Sequence, residues 1–259
     1  MNEPSVLYDV KDGVGAITLN RPAVLNALNK SLAAALADAA EEAARDPNVW
    51  VIVVRGAGRA FSSGMDRTAL AAGQVEEPFY RHWIRGLNGL EDAGKPVLAA
   101  IHGYCIGGGL QLALACDFRL ATADGVLGLG ATRHGLIPDG AVLRLARVVG
   151  IGRAKELALL NDEVTAAEAR AIGLVNWVAP PGEFEAAVKR IVDKCFQASP
   201  TAFRHTKRLL HESFHVDPRS LIEEVVKAQN ECMTSGELTE ANRAWEERRE
   251  ARFFPQRGR

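Results

Sequence analysis

Neither sign of charge dominates this chain. Across 259 residues, 31 Lys and Arg face 32 Asp and Glu, a formal charge of −1 with a pI near 6.6. Nucleic acid and membrane surfaces are therefore not expected as partners. Long apolar runs are missing as well: residues 49–54 and 97–101 are strand-sized and far short of a bilayer span. The first ten residues hold no positive segment followed by an apolar one, so no secretory leader is predicted. Cysteine is scarce and scattered, at positions 105, 116, 195 and 232, without a Cys-x-x-Cys pair. That usage predicts reduced thiols in a soluble cytoplasmic protein, not a disulfide or zinc framework.

What is present is an alternation of strand and helix signals. Residues 14–20 read as a strand closed by Arg21-Pro22, and 26–45 as an Ala/Leu-rich helix stopped by Asp46-Pro47. The β-branched run at 49–54 and the apolar run at 96–101 have the pattern of strands covered on both faces. Helices are predicted at 81–92 and 107–116, with short strands at 118–121, 126–129 and 175–178. From Gly140 onward the pattern is mostly helical, including 140–149, 183–198, 200–214, 219–233 and 238–252. This predicts an α/β chain of strand–strand–helix units, with a core over 1–195 and a helical region over 196–259.

Several motifs fail on context. His211-Glu212-Ser213-Phe214-His215 is a literal H-E-x-x-H, but Asp217-Pro218 follows directly and Lys207 and Arg208 mark a charged helix face. It is read as a chance match, and no metal site is expected. Gly13-x-Gly15 precedes its strand, the wrong order for a dinucleotide fingerprint. The 56–59 stretch, Gly-Ala-Gly-Arg, lacks Gly-Lys-Ser/Thr, and no Gly-x-Ser-x-Gly surrounds Ser62 or Ser63. The remaining glycine cluster, His102-Gly103-Tyr104-Cys105-Ile106-Gly107-Gly108-Gly109, follows a strand and opens a helix. Unpaired N–H groups at a helix start can hold a developing oxyanion, and glycine lets a ligand approach them.

Ala60-Phe61-Ser62-Ser63-Gly64-Met65-Asp66 follows the preceding strand, and these two motifs together resemble the crotonase (enoyl-CoA hydratase/isomerase) superfamily. Asn20-Arg21-Pro22 with Asn26-Ala27-Leu28, Lys95-Pro96-Val97, Gly135-Leu136-Ile137-Pro138-Asp139-Gly140 and Gly173-Leu174-Val175 extend the resemblance along most of the chain. It implies a spiral of ββα repeats with a helical C-terminal extension, assembled as a homotrimer or hexamer through 196–259. It implies an acyl-CoA thioester as substrate and no permanently bound cofactor. The Met65 and Gly108 backbone N–H groups match the family's oxyanion hole, with Asp66 as a loop-ordering residue. Arg21, Ala23, Leu25, Ala60, Ser62, Ser63 and Gly107 fall where relatives meet the substrate or CoA. Trp245 falls where an aromatic from a neighbouring subunit packs on it.

The two glutamates that hydratases of the family use fall here at Gln111 and Ala131, neither of which can serve as a general acid or base near neutral pH. Asp139 matches the family's second acid position, where isomerase branches carry their acid/base; the alternative is that it caps a helix over 140–149. The pattern favours an isomerase-type 1,3-proton shift. A hydratase, lyase or hydrolase with a relocated acid, drawn from the variable 69–85 segment with its Glu76 and Glu77, stands as the alternative. A silent acyl-CoA-binding protein stands behind both.

Overall fold

The computed structural model describes residues 3–254. β1 (Val6–Lys11) and β2 (Val14–Leu19) form an antiparallel hairpin across Asp12-Gly13. From β2 the sheet grows by parallel pairing through β3 (Val51–Gly56), β4 (Val97–Ile101), β6 (Phe118–Thr122) and β9 (Trp177–Ala179). A three-stranded sheet of β5 (Tyr104–Ile106), β7 (Val126–Gly128) and β8 (Val164–Thr165) lies apart from it. Parallel neighbours need long return connections, here carrying α1 (Lys30–Arg45), α2 (Arg67–Ala71), α3 (Glu77–Glu91) and α4 (Gly108–Leu114).

The period of two along each strand decides what covers each face of the large sheet. Ile52, Val54, Val97, Ala99 and Ile101 point into the main core, with Leu32 and Leu36 of α1 and Trp83, Leu87 and Leu90 of α3. Val51, Val53, Leu98, Ala100 and Leu120 point the other way, under α7 (Phe184–Cys195) with its Phe184, Val188, Ile191 and Val192. With both faces covered, β3 and β4 read as continuous apolar runs.

Two predicted helices start late. Asn29 caps α1 by accepting from the Leu32 N–H, so the helix begins at Lys30 and not near 26. Asn26 is instead buried in a left-handed conformation (φ 55°). The helix predicted over 140–149 is a chain of turns to Arg144, followed by α5 (Leu145–Lys155), which is itself broken at Gly150 by a left-handed φ of 75°. Asp139 therefore caps no helix: the residue preceding α5 is Arg144. The 69–85 segment is largely helical, divided between α2 and α3.

Beyond α6 (Ala166–Ala171) and α7, the chain ends in α8 (Pro200–Glu212), α9 (Pro218–Met233) and α10 (Gly236–Glu246). Lys207 of α8 is buried and donates to Asp117 at 2.9 Å and to the Leu90 and Lys95 carbonyls, which fixes this helical region to the core. α8 stops at Glu212, so His211 and His215 do not share a helix face, and His215 meets Arg147 at 2.7 Å. Among the described residues no three His, Cys, Asp or Glu side chains gather as a metal site, and no helix is long and apolar enough to cross a membrane.

Candidate active site

Two loops leave the sheet side by side and build one wall of a large cavity. The segment after β3 pairs with the segment after β4: Ser62 N–H donates to the Tyr104 carbonyl and Ile106 N–H to the Ser62 carbonyl. On its other side Leu28 N–H donates to the Gly64 carbonyl and Asp66 N–H to the Leu28 carbonyl. That parallel bridge leaves the N–H of Met65, between them, facing away from Leu28. Gly108 opens α4, where the first N–H groups have no helical acceptor. Among the described residues, neither the Met65 nor the Gly108 N–H donates a hydrogen bond.

Glycine is required on both loops. Gly64 has φ 86°, and a Cβ there would stand 2.8 Å from the Ile106 carbonyl oxygen and 3.3 Å from the Gly107 Cα. A Cβ on Gly108 would stand 2.1 Å from the Leu28 side chain. The two unpaired donors are thus presented by loops whose backbones are in near contact. Such a pair can stabilise an oxyanion developing on a bound carbonyl.

The cavity has a volume of about 800 Å³, within the range of small-molecule sites. Met65, Asp66, Gly107, Gly108, Gln111, Ala131, Ser63 and Asp139 all line it, with Leu28, Phe79, Tyr80, Trp83, Ile84 and Ile137 supplying apolar surface. Ala60 and Ser62 are fully buried and do not line it. The Ser62 hydroxyl donates to the Asn26 carbonyl, and the Ala60 carbonyl accepts from the Asn26 amide. Arg21, Ala23 and Leu25 lie on the loop beside the cavity, and Trp245 stands 82% exposed on α10 and does not line it. Asn26 was missed as an organiser: its amide also donates to the Ala57 carbonyl and its Oδ1 accepts from the Arg21 N–H. The signal was an Asn directly before an apolar Ala-Leu pair, which resembles a helix start. Trp83 was missed because its spacing in α3 matches an ordinary core position.

Two carboxylates line the cavity, and their surroundings pull them apart. Asp66 is partly desolvated, but it accepts from the Ala69 and Thr68 N–H groups at 3.1 Å and pairs with Arg21 at 3.0 Å. The balance holds its carboxyl below the usual carboxylate range. Asp66 caps α2 and is engaged there. Asp139 shows the opposite balance. Burial pushes its carboxyl above the usual range, outweighing the Asp139 and Gly140 N–H groups, Gln111 and Arg144. Tyr80 is its neighbour across the cavity, its own phenol pushed up by burial and then by the Asp139 charge. Glu76 and Glu77 do not line the cavity, and Glu77 pairs with Arg81 on the surface of α3.

The fold and the paired loops define a class that the sequence comparisons identify. Residues 9–256 match the enoyl-CoA hydratase/isomerase family, and the chain belongs to it. It is similar to the short-chain-enoyl-CoA hydratase of Clostridium acetobutylicum, 31% identical over 258 residues and 98% of both chains. The crotonyl-CoA hydratase of Syntrophomonas wolfei is 32% identical, over 96% of this chain and 98% of that one. Among solved structures, an enoyl-CoA hydratase from Bacillus anthracis superposes with a TM-score of 0.88 at 31% identity, covering 96% of this chain and 98% of that one. One from Mycobacterium tuberculosis superposes at 0.86 and 34% identity, covering 96% and 98%. The α/β core with its helical C-terminal region is therefore the crotonase fold, and the chain is of a family that processes acyl-CoA thioesters.

Proposed function

We propose that the protein is an isomerase of this family, moving a double bond along an acyl-CoA thioester by a 1,3-proton shift. Asp139 takes a proton from C2 of a 3-enoyl thioester, the N–H groups of Met65 and Gly108 hold the dienolate oxygen, and Asp139 returns the proton at C4. The observation that carries this reading is the sorting of the two lining carboxylates: Asp66 is tied into a cap and an ion pair, and Asp139 is the one left with a raised carboxyl facing the cavity. A raised carboxyl suits a group that must both accept and release a proton near neutral pH. Addition of water needs a second group to activate it, and the positions that supply it in hydratases hold Gln111 and Ala131.

The hydratase names of the relatives favour a second reading, water addition to a 2-enoyl thioester through the same oxyanion hole. The CoA portion is assigned to the loop of Arg21, Ala23 and Leu25 and to Ser63 on the cavity wall, with Trp245 supplied by a neighbouring copy. The cysteines lie unpaired, consistent with a cytoplasmic setting. The test offers matched 3-enoyl-CoA and 2-enoyl-CoA substrates and resolves isomer from hydrated product. Isomer without hydrate is expected, and Asp139→Asn should lower kcat at least about 100-fold while CoA affinity holds. Hydrate as the main product would overturn the isomerase assignment.

A further inference from the structure

Gln111 occupies the position where a second carboxylate would stand, and the structure gives its side chain a definite task. It is buried on α4, and its Oε1 accepts from the Trp83 indole N–H at 3.3 Å and from the Gly140 backbone N–H at 2.8 Å. Two donors converging on one atom identify that atom as the amide oxygen, since the amide nitrogen has no acceptor lone pair to offer. The Gly140 bond ties α4 to the turn that carries Asp139, and the Trp83 bond ties both to α3. The other end of the amide is the NH₂ group, and Gln111 and Asp139 line the same cavity, with Gln111 held against Gly140, the residue next to Asp139.

We propose that Gln111 is a positioning residue for Asp139, locking its turn through Oε1 and donating to its carboxylate through Nε2, so that the site runs with one carboxylate. This rests on the assignment of Asp139 as the proton shuttle. The chemistry explains why an amide stands here. A glutamate could accept from Trp83 and Gly140 just as well, but it would bring a second negative charge against Asp139. One of two adjacent carboxylates then holds its proton, and the pair titrates as a unit. The other groups facing Asp139 are Tyr80 from α3 and Arg144 from its own turn; Asp66, Arg67 and His134 line the same cavity.

The decisive variant is therefore Gln111→Glu, which keeps the latch and alters only the group presented to Asp139. The measurement is a ¹³C titration of the Asp139 carboxyl, assigned by its disappearance in Asp139→Asn, run beside the pH profile of kcat/KM with a 3-enoyl-CoA substrate. The carboxyl midpoint should rise by about one pH unit or more in Gln111→Glu. The acid limb of the profile should move with it, giving a roughly tenfold loss at a pH below the new midpoint that recovers as pH rises. An unmoved carboxyl midpoint in a folded Gln111→Glu protein would overturn the inference, because a merely structural latch survives that exchange. A shifted midpoint with an unmoved acid limb would uphold the inference about Gln111 and sink the assignment of Asp139 as shuttle.

Discussion

Asp66 and Asp139 show how the same side chain is given opposite properties within one cavity. Asp66 gains N–H donors and a guanidinium on folding, so its ionised form stabilises the fold at neutral pH, and that contribution is lost as the pH falls through its depressed value. Asp139 is the reverse. Its folded value lies above the unfolded one of about 3.9, so the folded protein binds the proton more tightly. Stability is therefore lost as the pH rises from the unfolded value through the raised one, and the ionised group weighs on the fold above it. Asp139→Asn removes that burden: it is expected to raise Tm by about 2 °C at pH 7.5, with the gain vanishing near pH 4. Thermal melts of both proteins across that range check it. A lowered Tm at pH 7.5 would mean that the ionised carboxylate contributes more through its N–H donors than its burial costs. Asp66→Asn should move the other way at neutral pH, because the pair with Arg21 is lost while the cap remains.

At the scale of elements, the oxyanion donors depend on two loops pressed together, and the test lies in the residue before a donor. Gly64→Ala puts a methyl group 2.8 Å from the Ile106 carbonyl oxygen at a φ of 86° that alanine adopts with strain. The expected cost is about 1–3 kcal/mol of stability. Relief of that clash displaces the Met65 N–H, so kcat should fall about 100-fold. CoA binding, measured calorimetrically, should change far less. These loops were legible in the sequence because glycine there is dictated by backbone approach and is independent of what the side chains do elsewhere. The strands over 49–54 and 96–101 were legible for a related reason: burial on both faces leaves a continuous apolar run. The turn carrying Asp139 was not. Residues 140–149 have helix-compatible composition, but 140–144 run as turns, and the Gly140 N–H is held by Gln111 from 29 residues earlier, a tertiary contact that composition does not show. The start of α1 was misplaced for the same kind of reason. Asn26 spends its polar atoms on Ala57, Ala60 and Arg21, partners that a helix signal at 26 gives no hint of.

For the whole molecule, the outer surface is marked by exposed apolar side chains around α5 and the C-terminal helices. Val142, Leu143 and Ile151 near α5, Leu159 and Leu160 after it, Leu210, Ile222, Val225, Val226 and Met233 on the C-terminal helices, and Phe214 between two of them are all exposed. Isolated apolar residues on a surface are ordinary, but α9 carries several within four positions of one another, on a helix whose other neighbours are charged. Burying that much carbon is favourable by roughly 25 cal/mol per Å², and a second copy of the chain would supply a matching apolar surface under the closed symmetry that homo-oligomers adopt. Assembly would also bring Trp245, 82% exposed in its own chain, within reach of another subunit. Light scattering should therefore give a mass that is a multiple of 27.9 kDa, with a Tm that rises with protein concentration. The double substitution Ile222→Asp and Val226→Asp places two charges one turn apart on the proposed face, at two exposed positions. It should yield a 27.9 kDa species whose Tm no longer depends on concentration, and turnover should fall through a raised KM if a neighbour's Trp245 completes the CoA site. An oligomer that survives this substitution would place the interface on some other surface and leave the apolar face of α9 without a role in assembly.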